Sequence, residues 1–319
     1  MRILMLGTGP FAVPTLAALL DAGHDVPALV TRPTPPAKGR EKTPFNPMRD
    51  LAESRSIPVL APDSINTPQS RQQLANLRPE LLVVCDYGQI LSDETLSAAP
   101  LGGINLHGSL LPKYRGAAPV HWAIWNGETQ TGVTVIHMTS RLDGGPILAI
   151  RKTPIDPDET TPELELRLSQ LGVEAIHEAI TRLQAWDGRS PIGERQDTKM
   201  ASKAPRLTKQ HGAVDWSQSA QRIRNQVRAL KPWPGTYTYW LRAQGEPLRV
   251  ILDKVQSAEC GVRNEPGQVI LSDGERLVVA TGTGALAIQR LQPAGKRVMD
   301  ASEFLRGYPL KAGERLGPA

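Results

Sequence analysis

Along the first half of the chain, short apolar runs alternate with longer stretches of helical spacing. Residues 2–6, 26–31, 81–85, 104–107 and 133–138 are brief aliphatic runs, the pattern of strands buried on both faces. Residues 11–22, 46–54 and 67–77 repeat their apolar positions at helical intervals, and a long helical stretch runs over 162–186. Strand and helix signals taken in turn predict βαβ units. The expected fold is α/β, a Rossmann-like, mostly parallel sheet with helices on both faces. In such a sheet, sites form in the crevice outside the carboxyl ends of the strands.

Two stretches break this rhythm. "RPTPPAKGREKTPFNP", residues 32–47, holds five prolines and several charges, so it is expected to be extended and exposed at the same sheet edge as the other strand ends. "DGRSPIGERQDTKMASKAPR", residues 187–206, reads as an interdomain linker. After it the texture changes. Residues 214–230 predict one amphipathic helix opened by Asp215 or Ser217, and "KPWPGTYTYW" predicts a turn into an aromatic strand. Runs at 248–252, 268–271, 276–280 and 285–291, separated by Gly and Asp-Gly turns, predict a small OB-like β-barrel. The expected organisation is a first domain over 1–188, a linker over 189–206 and a C-terminal domain over 207–319.

Composition narrows the class without naming a chemistry. With 22% charged and 40% hydrophobic residues over 319 positions, the chain has the balance of a globular protein with room for two cores. Cys85 and Cys260 stand far apart with no metal or redox spacing, which predicts reduced thiols and a cytoplasmic protein. The apolar start "MRILMLG" is too short for a secretory signal, and no segment approaches the roughly 18 apolar residues of a membrane span. Charge is unevenly placed. Residues 207–319 carry 16 basic against 10 acidic side chains, whereas the first 206 residues carry a net −1. That asymmetry fits either a solvated basic surface or a polyanion partner such as a nucleic acid backbone.

Three motifs could carry chemistry. "GTGPFA", residues 7–12, matches G-x-G-x-x-A between a strand and a helix, the dinucleotide fingerprint, with Arg32 available for an NADP phosphate. Pro10 removes one backbone donor from that loop, and a plain strand-to-helix turn needs the same glycines. "INLHGSLLPKYRG" begins as a strand whose Asn105 and His107, two apart, point to one face at its carboxyl end. Two convergent donors suit an oxyanion developing on a carbonyl carbon, and they also suit capping or core hydrogen bonds. "LDGGPIL" then sets Asp143 in a tight turn beyond the strand 133–138, where its carboxylate could orient His107. His24, His121, His137, His177 and His211 show no partner pattern, and no His/Cys cluster suggests a metal.

The stretch "INLHGSLLPKYRGAAPVHWAIWNGETQTGVTVIHM" with "LDGGPIL", "VVCDYGQIL", "AVDWSQSAQRIRNQVRALKPWPGTYT" and "LQPAGKRVMDASEFLRG" closely resembles the folate-dependent formyltransferases over nearly the whole chain. The combination with "RGAAP" and a basic C-terminal domain is most similar to the branch whose acceptor is methionyl initiator tRNA. The resemblance implies 10-formyltetrahydrofolate as donor, the methionyl α-amine as acceptor, and no metal. It implies a catalytic trio of Asn105, His107 and Asp143. A folate-binding segment falls on Ser109, Leu110, Leu111 and Pro112, joined by Tyr87, Gly88, Gln89 and Ile90. tRNA contacts fall on Lys38, Arg40 and Lys42 of the proline-rich loop, and charge balance with family adds Arg222, Arg228, Lys231, Lys296 and Arg297. Glu41 between Arg40 and Lys42, and Cys85-Asp86 in place of the family's more usual small apolar pair, are departures. A monomer in the cytoplasm is expected. The rivals are an NADP-linked oxidoreductase, a formyltransferase for another amine such as an amino sugar, and a non-catalytic RNA-binding protein.

Overall fold

A computed structural model describes residues 1–34, 45–259 and 264–318. Lys38, Arg40, Lys42 and Cys260 lie outside the described residues. The chain forms two compact units. The first comprises Met1–Pro119, Gln130–Pro154 and Leu164–Pro205, and the second Val120–Thr129, Ile155–Glu163 and Arg206–Ala319. The units are therefore not cut at one point in the sequence, as the linear division at 188 and 207 expects.

In chain order the first part contains β1 (Ile3–Gly7), α1 (Val13–Asp21), β2 (Leu29–Val30), α2 (Pro47–Ser54), β3 (Val59–Leu60), α3 (Pro68–Asn76), β4 (Leu81–Cys85), α4 (Asp93–Leu96), β5 (Gly103–His107) and β6 (Arg115–Gly116). Then come α5 (Pro119–Trp125), β7 (Gln130–His137), β8 (Ile147–Pro154), α6 (Thr161–Gln184) and β9 (Lys203–Ala204). β1 and β4 are buried at every position, as strands covered on both faces must be. Asn46 and Thr67 cap α2 and α3 by accepting from Arg49 N and Ser70 N, with a proline just inside each helix.

The main sheet has the order β3-β2-β1-β4-β5-β7-β8. Pairing is parallel from β3 to β5, and antiparallel for β5–β7 and β7–β8. β7 thus runs against β5, and the turn beyond it does not start at the carboxyl end of β5. Its final residue, His137, pairs with Ile104 at the start of β5, and β8 returns beside it as a hairpin. β8 has no clear signature in the sequence because only its first half is apolar. The second half, Arg-Lys-Thr-Pro, is solvated as an edge strand commonly is. On α6, Leu164, Leu168, Ala175, Ile176, Ala179 and Leu183 form the buried stripe. A Cβ on Gly172 would stand 2.5 Å from Leu106 Cδ2, so α6 lies on the face of β5 opposite Asn105 and His107.

The second unit continues with α7 (Ala220–Ala229), β10 (Thr236–Leu241), β11 (Leu248–Ala258), β12 (Val269–Ser272), β13 (Leu277–Ala280), β14 (Ala285–Pro293), β15 (Met299–Asp300), α8 (Ala301–Gly307) and β16 (Arg315–Gly317). Its sheet has the order β12-β13-β14-β11-β10-β16. A bridge between Gln268 and Arg315, with Val269 N donating to Glu314 O at 2.8 Å, draws the two edges together into an OB-like barrel. Trp216, Ile223, Val227, Trp240, Leu252, Leu286 and Phe304 fill it.

Helix α7 begins after Ser219, later than residue 214. Asp215 accepts from Ser217 N, Ser217 Oγ and Gln218 Nε2, while Val214 N pairs with Tyr237 O, so 214–218 is a turn.

The stretch 189–206 is not a free tether. β9 pairs with β6, and Glu194 exchanges both backbone hydrogen bonds with Ile147, so its polar backbone is consumed by the first unit. Among the described residues, no helix is long and apolar enough to cross a membrane.

Candidate active site

At the carboxyl end of β5, His107 is buried and its Nε2 lies 2.9 Å from Tyr114 O. A carbonyl only accepts, so Nε2 carries a proton and Nδ1 is the remaining polar edge of the ring. Nδ1 faces Asp143 Oδ2 at 3.8 Å, ion-pair range rather than a hydrogen bond. Asp143 does not arrive from a strand end beside His107. The register of β7 leaves the chain three residues lower on β5, about 10 Å away, and the loop 138–146 folds back along the sheet to reach it. Asp143 has φ 47°, and its Oδ2 accepts from Gly116 N at 2.8 Å. Asn105 is half-buried on the face it shares with His107, with no hydrogen bond from its amide to a described residue. The structure therefore brings His107 and Asp143 together beside a strand end that also carries Asn105.

The turn after β5 is held from within. Ser109 Oγ donates to Lys113 O at 2.7 Å, and Thr134 Oγ1 donates to Ser109 O while accepting from Leu111 N. Leu111–Pro112 is a cis peptide bond. Of the residues expected at folate, Ser109 and Leu111 are thus buried and engaged, while Leu110 and Pro112 keep partly open surface. Tyr87 is buried, and burial pushes its hydroxyl up to about 12. Gly88 has φ 83°, with the Arg32 side chain beside it. Gln89 accepts from Ile65 N and donates to Pro62 O, so its amide braces a neighbouring loop. Ile90 is 64% exposed.

Near the same sheet edge lies an acidic pair. Asp86 retains solvent-accessible surface, yet protein crowds its carboxyl and raises it to about 6. Burial, and then the charge of Asp86, raise Glu165 of α6 to about 7.

The basic residues separate into different roles. Arg228 is a correction to the phosphate-contact reading. It is buried, and its guanidinium donates to Asp156 O, Glu159 O and Asn225 Oδ1, so its donors are spent on the protein's own carbonyls. Arg222 donates to Trp125 O and Asn126 Oδ1 and lies over the Trp125 ring. Lys231 pairs with Asp253 at 3.0 Å, and Arg297 with Glu303. Lys296 is exposed.

Sequence reasoning missed Tyr114, Arg115, Gln196, Ser202 and Glu165. Only the motif context of Tyr114 and Arg115 offered a signal. Gln196 and Ser202 stand in a polar stretch without periodicity, and Glu165 reads as one more charge on an amphipathic helix. Among the described residues, no group of three or more His, Cys, Asp or Glu side chains could hold a metal.

The profile described as formyl transferase matches residues 1–180, and that of the formyl transferase C-terminal domain matches 206–309. A methionyl-tRNA formyltransferase of Rhodopirellula baltica is 47% identical over an alignment of 325 residues, spanning 99% of this chain and 96% of the relative. One of Geobacter sulfurreducens is 41% identical, spanning 100% and 98%. Among solved structures, an N-formyltransferase from Helicobacter canadensis in complex with folinic acid and dTDP-3-aminofucose superposes with a TM-score of 0.66 at 17% identity, over 90% of this chain and 98% of that one. HypX from Aquifex aeolicus in complex with tetrahydrofolic acid gives 0.62 at 19% identity, over 96% of this chain and 47% of HypX. At those identities the two structures attest the fold. The full-length kinship goes further: the chain belongs to the methionyl-tRNA formyltransferase family and is a formyltransferase.

Proposed function

We propose that the protein transfers the formyl group of 10-formyltetrahydrofolate to the α-amine of methionyl initiator tRNA and so supports translation initiation. The observation that carries this reading is the meeting of His107 and Asp143 beside Asn105, at the end of β5, in a chain 47% identical over its length to a methionyl-tRNA formyltransferase.

The neutral amine attacks the formyl carbon. A C–N bond forms and the carbonyl π electrons move onto oxygen. Asn105 donates its amide to that oxyanion, and a proton on His107 Nδ1 adds a second, charged donor. Tyr114 O keeps Nε2 protonated, so Nδ1 is the edge of the ring that works. Asp143 fixes the ring and takes the proton that the amine releases, directly or through water. Collapse of the tetrahedral intermediate breaks the bond to N10 of tetrahydrofolate, which leaves with a proton. No side chain becomes covalently bonded. Leu110 and Pro112, with Gly88 and Ile90, are assigned to the folate pocket, while Ser109, Leu111, Tyr87 and Gln89 support it. The tRNA is assigned to the loop bearing Lys38, Arg40 and Lys42, and to Arg222, Lys231, Lys296 and Arg297 of the basic C-terminal part. The reading implies a cytoplasmic monomer, with catalysis in residues 1–188 and tRNA binding in 207–319.

The test is formyl transfer from 10-formyltetrahydrofolate to methionyl initiator tRNA by the wild type and His107→Ala. Transfer lost in a variant that still binds folate and tRNA supports the reading. A folded, folate-binding wild type that formylates a nucleotide-linked amino sugar and not the tRNA overturns it.

A further inference from the structure

The segment between the two family-profile matches, residues 181–205, contains the residue that grips the Asp143 turn hardest. Gln196 Nε2 donates to Asp143 O at 2.8 Å and to Gly145 O at 2.7 Å. Its Oε1 accepts from Arg115 Nη2 at 2.6 Å and from Arg115 Nε at 3.2 Å. The orientation of the amide is fixed by chemistry: a guanidinium only donates and a carbonyl only accepts. One side chain therefore ties the turn that carries Asp143 to the strand β6 that follows the His107 turn. The next residue of that strand, Gly116, donates its N–H to Asp143 Oδ2. Just before Lys203, the same segment also reaches Tyr114, whose N donates to Ser202 Oγ and whose carbonyl holds His107 Nε2.

The turn needs this support. Asp143 sits at φ 47°, a conformation that a non-glycine residue keeps only when its surroundings over-determine it. Its backbone carbonyl and that of Gly145 lie at a long hairpin end, where the β7–β8 ladder gives them no partner. We propose that Gln196 is a positioning residue for Asp143. Its two N–H groups hold the Asp143–Gly145 turn in the one arrangement that sets Oδ2 between Gly116 N and His107 Nδ1. Its role in catalysis rests on the function proposed above; its role in geometry does not.

Two variants separate the contacts. Gln196→Met keeps the volume and loses every hydrogen bond. Gln196→Glu keeps the acceptor for Arg115 and loses both donors to the turn. Amide hydrogen exchange of Gly116 reports the Asp143 contact whatever reaction the protein performs. The expected result is a protection loss of about tenfold or more at Gly116 in both variants, with Ile3 in β1 unchanged. For formyl transfer, kcat falls about 10- to 100-fold, the scale of a roughly 1 Å misplacement, with KM for the folate donor within about twofold. In an Asp143→Asn background, Gln196→Met adds less than about twofold, because its effect passes through Asp143. Unchanged protection at Gly116, or a full multiplicative loss in the Asp143→Asn background, overturns the proposal. A wild type without formyl transfer overturns the function and leaves the exchange arm to decide the positioning.

Discussion

Asp86 Oδ2 lies where a side chain on residue 9 would begin, 1.8 Å from an ideal Cβ on Gly9. Asp86 O also accepts from Thr8 N and Gly9 N. The two loop amides that a pyrophosphate would draw on are thus already donated, and a carboxyl group stands over the second glycine. The glycine pattern of residues 7–12 is explained by this contact and by Gly7, where a Cβ would meet Ala12 and Met48 at 2.9 Å. Gly9→Ala is accordingly expected to cost about 1–3 kcal/mol as an overpacking change. Asp86→Gly, which also suits the φ of 48° at that position, is expected to recover more than half of that loss. Urea denaturation of the two single variants and the double variant measures it. Additive losses would refute the contact as the reason for Gly9.

The trio predicts unequal losses. His107→Ala removes both the charged donor and the group that Asp143 orients, so kcat for formyl transfer is expected to fall about 10³-fold. Asn105→Ala removes one oxyanion donor and is expected to lose about 10²-fold. Folate affinity, followed by fluorescence titration, stays within about threefold in both. A His107→Ala variant with near wild-type kcat would remove His107 from the chemistry.

How much of this was legible beforehand follows from what each element needs. β1, β4 and β5 bury every or nearly every side chain, so continuous apolar runs announced them. β8 is half polar, and β3 has two residues, so neither carries a period to read. Asn105 and His107 stood out because polar residues at the end of an apolar run are conspicuous. Asp143 lies near them for a reason that the strand pattern does not show, since β7 is antiparallel to β5 and the loop, not the strand end, delivers the carboxylate. Arg228 looked like any basic helix residue. Whether a guanidinium faces phosphate or the protein's own carbonyls is decided by tertiary packing, which a helical period does not encode. Gln196 was invisible for the same reason.

The acidic pair gives a pH signature. Glu165 is raised to about 7 and Asp86 to about 6, chiefly by burial. A carboxyl whose folded-state pKa lies above its unfolded value favours the folded protein while protonated. That contribution is complete below about pH 4, the unfolded range, and is lost as pH rises through 6 and 7. Glu165→Gln has no charge to bury. Its melting temperature is expected to match the wild type near pH 4 and to exceed it by roughly 2–4 °C at pH 8. Scanning calorimetry across that range checks it, and a gap that does not change with pH would rule the ionisation out as its source.

Arg228 and Lys296 carry the same charge and are expected to fail in opposite ways. Arg228→Met removes the hydrogen bonds that the guanidinium gives to Asp156 O, Glu159 O and Asn225 Oδ1 inside the second unit. It is expected to cost about 1–3 kcal/mol of stability, because the hydrogen bonds of a buried charged group are lost. The folded fraction should bind tRNA with the salt dependence of the wild type. Lys296 is exposed, so Lys296→Ala should leave the melting temperature unchanged. If its ammonium meets a phosphate, the slope of log affinity against log salt becomes shallower by about 0.9, and binding weakens for every tRNA alike. Filter binding at several salt concentrations, with thermal melts of the same preparations, distinguishes the two. A shallower slope for Arg228→Met would return that residue to the nucleic-acid surface, and an unchanged slope for Lys296→Ala would take Lys296 off it.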